Sequence, residues 1–410
     1  MPAENTQFGT PKREAEEKNG LIQHTLNSIL DYLEQADWFG YDPYDALNGP
    51  ILARISLGRP LVGAALTQFL RFLPVNPRSV LGIPVVRMTK TVSLIVQAHL
   101  NLARLGQRSQ WHFEQARKGL EWLASQQICG FHGACWGYSH DWQARSMLLP
   151  KTQPSLVCTA FVARAFLSAY EDLGERRYLE IARSSCDFVL RDLPRYRSGD
   201  TYCFSYVPFD VVLAHNANLL GAELLARVYR HTREPALLEN AMPALHFTLN
   251  DQHPDGGWFY DVHTDNGLNR TWIDNFHTGF VIESLLRFVG NTGYDLQRSL
   301  RTGLQYYSER FFALDGRPRR SSQSDYPVDL RDCTQAIIVA GLVDPPHEYP
   351  RLCRVLDWTL RHMRLRSGLI AYQRWPVGLN PVVYLRFQAW FLYGISCALV
   401  SEKVTHLWGR

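Results

Sequence analysis

The segment 252–278, QHPDGGWFYDVHTDNGLNRTWIDNFHT, concentrates side chains that exchange protons. It contains the candidate catalytic residues Tyr260, Asp261 and His277, and two residues of the same chemistry, Tyr206 and His215, precede it in the chain. Histidine titrates near neutral pH, whereas tyrosine and aspartate act as general acids or bases when their surroundings shift the pKa. We therefore predict that these five residues carry proton transfer.

A second set of residues is suited to binding a substrate. Aromatic faces stack on flat rings, and an arginine guanidinium matches a planar carboxylate through two hydrogen bonds. The candidate binding residues are Tyr41, Lys90, Trp136, Tyr138, Trp258, Tyr372, Arg374, Arg386 and Gln388. The alternative for each is structural, because aromatic loops also pack on one another and Asp beside a loop aromatic commonly caps the next helix or turn.

One loop also crowds together groups that could ligate a metal, namely His253, Asp255, Asp261, His263 and Asp265. Their spacing has neither the histidine pairs of a zinc helix nor the order of an EF-hand loop. The sequence therefore predicts no metal and no cofactor.

The composition is that of a globular protein with a large core, since 46% of the 410 residues are hydrophobic and 20% are charged. The polar residues 1–19 are predicted to form a flexible arm, and residues 20–410 a single domain. A net charge of +4 without a basic stripe argues against nucleic acid as a partner. Eight cysteines without a CxxC pair predict free thiols and a cytoplasmic location.

Helical periodicity recurs along the chain, with almost no alternating β-type pattern. The predicted helices are 20–36, 50–73, 86–105, 110–127, 153–173, 176–192, 213–231, 235–251, 276–291, 295–312, 330–343, 349–364 and 384–402. Short turns alternate with long loops that each contain a tyrosine: WFGYDPYD, WGYSHDW, FSYVPFD, WFYDVHTD, SDYPVD and IAYQRW. Such a repeat predicts an all-α fold, an (α/α)6 toroid of six helical hairpins with every long loop at one mouth.

The helices that follow the long loops are expected to form the inner ring of the toroid. They open with polar residues such as Lys90, His215, His277 and Arg386. Helix amino termini that converge on a cavity offer free N–H groups to an anion. At the junction DNFHTGF, Asp274 or Asn275 is predicted to cap a helix that holds His277 in its first turn, with Gly279 leaving room for a ligand.

The stretch FTLNDQHPDGGW resembles the aromatic-x4-Gln-x3-Gly-x-Trp repeat of α/α toroid proteins such as triterpene cyclases, and WLASQQICG resembles a degraded copy. In that family the motif ties an outer helix to the following turn. The chain lacks the DxDD and DDxxD motifs of terpenoid enzymes. It looks more like the six-hairpin glycosidases, the uronate lyases and the glucuronyl C5-epimerases. The stretch DNFHTGFVIESL also resembles uncharacterised bacterial proteins of polysaccharide biosynthesis.

These resemblances imply a carbohydrate-active protein that acts on a uronic-acid-containing glycan or its precursor. Proton abstraction at carbon 5 needs a base, an acid and cations for the carboxylate, which the predicted tyrosines, histidines and arginines supply. One alternative is a glycoside hydrolase with paired carboxylates. Its candidates are Asp42, Asp45, Asp141, Asp210, Asp261, Asp265, Asp274, Asp329 and Asp332.

A second alternative is a non-catalytic glycan-binding or scaffold subunit of a polysaccharide assembly complex. The apolar segment 51–74 could then lie on the inner membrane, with Arg54, Arg59 and Arg71 meeting anionic lipid. A pair of core helices is the structural alternative for the same segment.

Overall fold

The computed structural model describes residues 11–106, 108–143, 147–260, 262 and 272–401. Its helices are α1 (Pro11–Gln35), α2 (Pro50–Ser56), α3 (Pro60–Phe72), α4 (Thr89–Arg104), α5 (Ser109–Ser125), α6 (Leu156–Leu173), α7 (Arg176–Arg191), α8 (His215–Thr232), α9 (Pro235–Asn250), α10 (Asn275–Thr292), α11 (Gln297–Phe311), α12 (Leu330–Leu342), α13 (Pro350–Cys353), α14 (Val355–His362) and α15 (Leu385–Val400).

Six of these helices form a closed inner ring, in which α4, α6, α8, α10, α12 and α15 each pack against the next and α15 returns to α4. Helices α5, α7, α9 and α11 pack outside α4, α6, α8 and α10, and the short helices α13 and α14 pack outside α12. Helix α1 packs outside α15, so the first and last helices make the sixth hairpin. The predicted all-α (α/α)6 toroid is confirmed.

Burial distinguishes the two rings. Helix α4 is buried without interruption from Thr89 to Leu100, because neighbouring inner helices and an outer helix cover all its sides. The outer helix α7 buries only one face, which includes Tyr178, Ala182, Cys186 and Val189 at helical spacing. This contrast is the expected difference between a fully enclosed helix and an amphipathic one.

The strands are short and lie in the loops. They are β1 (Phe39–Gly40) with β2 (Val86–Arg87), β3 (Trp142–Gln143) with β4 (Leu148–Leu149), β5 (Arg195–Ser198) with β6 (Thr201–Phe204), and an antiparallel sheet of β7 (Val328–Asp329), β8 (Gln373–Trp375) and β9 (Gly378–Asn380). In the first of these pairs, Phe39 lies opposite Arg87. The β7–β8 pair joins two of the long loops, whereas β3–β4 and β5–β6 are each formed within one loop.

The Gln-Gly-Trp motif ties α9 to the next turn, as the resemblance implied. The Gln252 amide donates to the carbonyl oxygens of Gly256 and Ser299, both at 3.0 Å, and the Trp258 indole donates to the Thr248 carbonyl at 3.0 Å. Gly256 has φ +103°, and a Cβ there would lie 2.3 Å from the Thr302 carbonyl oxygen. The motif therefore requires glycine at this turn.

Three helix boundaries differ from those predicted. Helix α1 begins at Pro11, so residues 11–19 of the predicted arm are helical, while residues 1–10 lie outside the described residues. The predicted helix 50–73 is broken after Ser56, where Leu57 and Gly58 have φ +51° and +67°. The predicted helix 349–364 is likewise divided between α13 and α14.

Helices α2 and α3 belong to an insert, residues 46–85, between the first helix and the inner ring. The insert has its own small core of Ala46, Leu52, Leu70 and Ile83, separate from the main core. In the described ranges, no helix is long and apolar enough to cross a bilayer.

A buried ionic network lies across the middle of the ring. Arg164 donates to Glu223 at 2.8 Å and to Glu283 at 3.1 Å, and Gln335 donates to Glu283 at 2.7 Å. Arg164, Glu223 and Glu283 lie eight residues into their helices, roughly 12 Å from the helix starts. The network thus closes the ring below the mouth.

Candidate active site

A cavity of about 800 Å³ lies at the mouth, where the inner helices begin. Its walls come from the starts of α4, α6, α8, α10, α12 and α15, from the loops that precede them, and from α3 of the insert. Five of the six predicted long loops contribute residues to this wall, whereas the loop IAYQRW contributes none. Six of the predicted site residues line the cavity: Lys90, Tyr138, Tyr206, Tyr260, His277 and Arg386.

The cavity wall is strongly cationic. Five basic side chains line it: Arg71, Lys90, Arg320, Arg331 and Arg386. Among the described lining residues Asp274 is the single carboxylate. An anion would therefore meet these cations inside a partly enclosed space, where charge interactions are stronger than in water. Ion pairs of Arg386, Arg331 and Arg320 with buried aspartates balance part of that charge.

Two of the arginines converge on Tyr44, a lining residue that was not predicted. The hydroxyl oxygen of Tyr44 accepts from Arg71 Nη1 at 3.1 Å and from Arg331 Nη1 at 3.2 Å. Burial alone would raise the Tyr44 pKa, but the charges of Arg331, Arg71 and Arg386 outweigh it and lower the pKa below its ordinary value. The phenolate of Tyr44 is therefore stabilised.

Two other tyrosines that line the cavity have the opposite tendency. The hydroxyls of Tyr138 and Tyr206 lie 3.2 Å apart, and burial raises both pKa values above the ordinary one. Trp142 connects this pair with Tyr44, since its ring stacks on Tyr138 at 4.8 Å and contacts Tyr44 at 5.0 Å. As the pH rises, Tyr44 should thus lose its proton before Tyr138 and Tyr206 lose theirs.

His277 forms a second titratable unit with Asp274 and Tyr260. Asp274 caps α10, as predicted, by accepting from the His277 backbone N–H at 2.8 Å, and its other oxygen lies 2.7 Å from His277 Nδ1. Burial opposes ionisation of Asp274, but His277 and Arg320 hold its pKa well below the usual range. The Tyr260 ring lies 4.3 Å from the His277 ring. With Nδ1 engaged, Nε2 is the nitrogen available to a substrate.

Lys90 is surrounded by aromatic rings at the start of α4. Its Nζ lies 4.2 Å from the Phe161 ring centre, 4.3 Å from that of Trp390 and 5.7 Å from that of Phe280. Burial, reinforced by the charge of Arg386, lowers the Lys90 pKa to about 7. A neutral amine is thus accessible near physiological pH.

His215, which was predicted to be catalytic, is not among the residues that line the cavity. Its Nε2 lies 2.7 Å from Asp251 Oδ2 and its Nδ1 lies 3.2 Å from Thr248 Oγ1, so both ring nitrogens are engaged. These partners belong to the carboxyl end of α9, in the outer ring. The neighbouring Asn216 lines the cavity instead.

Three predicted binding residues, Trp136, Trp258 and Gln388, hydrogen-bond the protein backbone and do not line the cavity. The fully buried indole of Trp136 donates to the Leu123 carbonyl near the end of α5, at 2.7 Å. The buried indole of Trp258 makes the same kind of bond to the Thr248 carbonyl near the end of α9. Both amide atoms of Gln388 bond the backbone of Ile370, at 2.7 and 3.1 Å. Their polar atoms are bonded to the protein, and all three side chains are buried.

Three further predicted binding residues lie away from the cavity wall. Tyr41 is half-buried between the main core and that of the insert, Tyr372 is buried against Tyr384, and Arg374 donates to the His362 carbonyl at 3.0 Å. Asp261, the fifth predicted catalytic residue, lies outside the described residues.

The aspartates proposed for a hydrolase are mostly committed to cations. Asp42 lies 3.0 Å from Arg386, Asp45 is 2.7 Å from Arg78, Asp329 bonds Arg331 at 2.9 Å and Asp332 lies 3.3 Å from Arg320. Asp141 and Asp210 accept from backbone N–H groups of their own loops. The described part of the chain therefore shows no pair of uncommitted carboxylates facing one another across the cavity.

The prediction of free helix amino termini holds for only some inner helices. Ser155, Asp274 and Asp329 close the starts of α6, α10 and α12 with their own side chains. Helices α4, α8 and α15 begin without a side-chain cap. Gly279 does not leave room for a ligand, because a Cβ there would lie 2.6 Å from both Gln335 and the Tyr307 hydroxyl oxygen.

Comparison with known proteins bears on the architecture. No family model and no curated protein matches the sequence. The cellobiose 2-epimerase of Spirochaeta thermophila superposes with a TM-score of 0.60 at 14% identity, over 78% of this chain and 86% of that one. The GH76 α-mannanase of Bacteroides thetaiotaomicron superposes with a TM-score of 0.60 at 14% sequence identity, over 78% of this chain and 88% of that one. A polysaccharide lyase superposes with a TM-score of 0.53 at 14% sequence identity, over 77% of this chain and 90% of that one.

The chain has the (α/α)6 toroid fold. The similar structures carry three different kinds of carbohydrate chemistry on this architecture. At such low identity the likeness establishes the fold, and the reaction has to be argued from the cavity.

Proposed function

We propose that this toroid protein removes the proton from carbon 5 of a uronic acid unit in a glycan or glycan precursor, as an epimerase or a lyase. The observation that carries the proposal is that one cavity contains a tyrosine that tends to lose its proton, Tyr44, and two that keep theirs, Tyr138 and Tyr206. Groups whose pKa values are pushed apart divide into a base and an acid.

The cations supply the second requirement of this reaction. When the proton leaves carbon 5, negative charge accumulates on the adjacent carboxylate, and fixed cations there lower the barrier. Arg71, Arg331 and Arg386 all lie close enough to Tyr44 to lower its pKa, so a carboxylate beside that hydroxyl would meet them too. A uronate carboxylate could bind here as a second partner of Arg331 and Arg386, which already contact Asp329 and Asp42, whereas a neutral sugar would use none of these charges.

The steps follow from these positions. The Tyr44 phenolate takes the carbon 5 proton, and the electron pair of the C–H bond moves toward the carboxylate. In an epimerase, the Tyr206 hydroxyl returns a proton to the opposite face. In a lyase, the electron pair instead forms a double bond between carbons 4 and 5, and the bond from carbon 4 to its oxygen breaks. The leaving oxygen then takes the proton of the Tyr206 hydroxyl. His277 Nε2, supported by Asp274 and beside Tyr260, is a second group that can exchange this proton.

Deuterium exchange tests the proposal. In D₂O, uronate oligosaccharides should gain deuterium at carbon 5 or form an unsaturated product. Tyr44→Phe should slow this by about 100-fold or more, the usual contribution of a general base. Tyr41→Phe is the matched control, since Tyr41 lies three residues away and outside the cavity wall. If acidic glycans yield neither deuterium nor unsaturated product, the proposal is wrong.

The hydrolase alternative is hydrolysis of a glycosidic bond by a pair of aspartates. It predicts new reducing ends that disappear when one aspartate is replaced. The scaffold alternative predicts glycan binding without turnover, and binding that survives Tyr44→Phe. We also propose, as context for any of these activities, a role in bacterial polysaccharide biosynthesis at a cytoplasmic site peripheral to the inner membrane.

A further inference from the structure

The insert exposes apolar side chains in two stripes. On α2, Ile51 and Ile55 are 45% and 53% exposed, and on α3, Leu61, Phe69 and Phe72 are 84%, 67% and 41% exposed. The spacing, with Ala65 also exposed between Leu61 and Phe69, repeats one helix face. The opposite faces already fill the insert's own core through Leu52 and Leu70. The side chains of the exposed stripes therefore do not belong to the core of the insert.

The charge of this region is one-sided. The sequence has no acidic residue between Asp45 and Glu114. Arg54 and Arg59 are exposed beside the stripes, whereas Arg71 and Arg78 are buried, so the earlier assignment of Arg71 to a lipid surface is corrected. The outer face of α2 and α3 is thus apolar with cationic margins.

This face continues into the cavity. Phe72 is both part of the exposed stripe and a lining residue, and Gln68 and Arg71 of the same helix also line the wall. Whatever covers the stripes therefore lies beside the opening through which a substrate enters.

We infer that the α2–α3 face lies on an anionic lipid bilayer, with its apolar stripes at the boundary between headgroups and acyl chains and with the cavity mouth next to the lipid. An amphipathic helix with cations at its margins binds such a surface through apolar burial and attraction to anionic headgroups. A second copy of the chain fits less well, because a two-fold contact would bring Arg54 and Arg59 of both copies together without an acidic residue from either insert. This inference rests on the surface and is independent of the chemistry proposed for the cavity.

Vesicle flotation of the full chain tests the inference. Vesicles of phosphatidylcholine alone are compared with vesicles that contain phosphatidylglycerol as about a third of the lipid. The protein should float with the anionic vesicles and be released by high salt. Arg54→Gln with Arg59→Gln should weaken binding by about 30-fold at low ionic strength. Arg176→Gln with Arg361→Gln removes the same charge from exposed outer-ring positions and should leave binding unchanged.

The apolar stripes have their own variant and control. Leu61→Gln with Phe69→Gln should abolish flotation and keep the melting temperature, since both side chains are exposed. Leu314→Gln, at a position 71% exposed outside the insert, should float as the wild type does. The inference is overturned if the wild-type chain does not float with anionic vesicles. It is also overturned by a wild-type dimer in light scattering that Leu61→Gln with Phe69→Gln converts to a monomer without any vesicle binding.

Discussion

Replacing Arg71 with glutamine should make the Tyr44 phenolate harder to form. Arg71 Nη1 donates to the Tyr44 hydroxyl oxygen at 3.1 Å, and its charge is one of three that lower the Tyr44 pKa. Glutamine is shorter and neutral, so the attraction is lost. Any reaction that needs the phenolate should then reach its full rate only at higher pH.

The size of the effect follows from the geometry. Two unit charges about 4 Å apart in a protein site interact by about 4 kcal/mol, and about 1.4 kcal/mol corresponds to one pH unit. Arg331 and Arg386 remain in Arg71→Gln, and water can enter the vacated space, so the loss is smaller than this limit. The rising limb of the pH–rate profile should move by about one to three pH units in the alkaline direction.

Two measurements check this prediction. One is the pH profile of deuterium exchange at carbon 5, with Arg54→Gln as the control on an exposed arginine of the same insert. The other needs no substrate, because the ultraviolet phenolate signal of the wild type minus that of Tyr44→Phe isolates one tyrosine among 19. If the difference titration shows Tyr44 ionising no earlier than an ordinary tyrosine, or if Arg71→Gln leaves it unmoved, the assignment of Tyr44 as the base fails.

Other variants separate structural from functional roles. Trp258→Ala should lower the free energy of unfolding by about 3–5 kcal/mol in denaturant titrations, because it empties a buried site and removes a hydrogen bond. His215→Ala should cost about 1–3 kcal/mol and keep the activity of the folded fraction. His277→Ala should instead slow turnover, because it removes one of the groups that exchange the proton, with a stability loss of only about 1 kcal/mol, since the side chain is 29% exposed at the cavity. Burial lowers the pKa of Lys90 in the folded protein to about 7, whereas the unfolded chain has the ordinary value of 10.5. The charged amine therefore destabilises the fold below about pH 7, and the free energy of unfolding rises as the pH increases from about 7 to 10.5. Lys90→Met should therefore raise the unfolding free energy at pH 6 and do so much less at pH 10. Equal effects at both pH values would contradict a desolvated lysine.

The architecture was predictable because its signals repeat. Helical periodicity, six tyrosine loops and the Gln-Gly-Trp motif all indicate the same unit, and each unit stabilises its neighbours in the same way. The break between α2 and α3 was missed because the apolar pattern continues across it, although Gly58 and Pro60 are residues that commonly end and begin helices.

The site was harder to predict because adjacent residues on a helix point about 100° apart. His215 and Asp332 were named, whereas their neighbours Asn216 and Arg331 line the cavity. The loop WFGYDPYD holds two tyrosines, and only the packing of the insert makes Tyr44 the one that faces the arginines. Arg320 lies in a loop without any period, so no local signal indicated it.

The sixth hairpin links α1 to α15, helices separated by nearly the whole sequence, and Arg364 adds bonds to Thr25 and His24. Helix α1 is synthesised before the other helices of the toroid, and its apolar residues Ile22, Leu26 and Ile29 belong to the main core. Helix α15, against which α1 packs, is synthesised after all of them. Five hairpins can form in order during synthesis, but the ring can close only after translation has passed residue 400. Until then the apolar side of α1 is a surface that a chaperone would recognise.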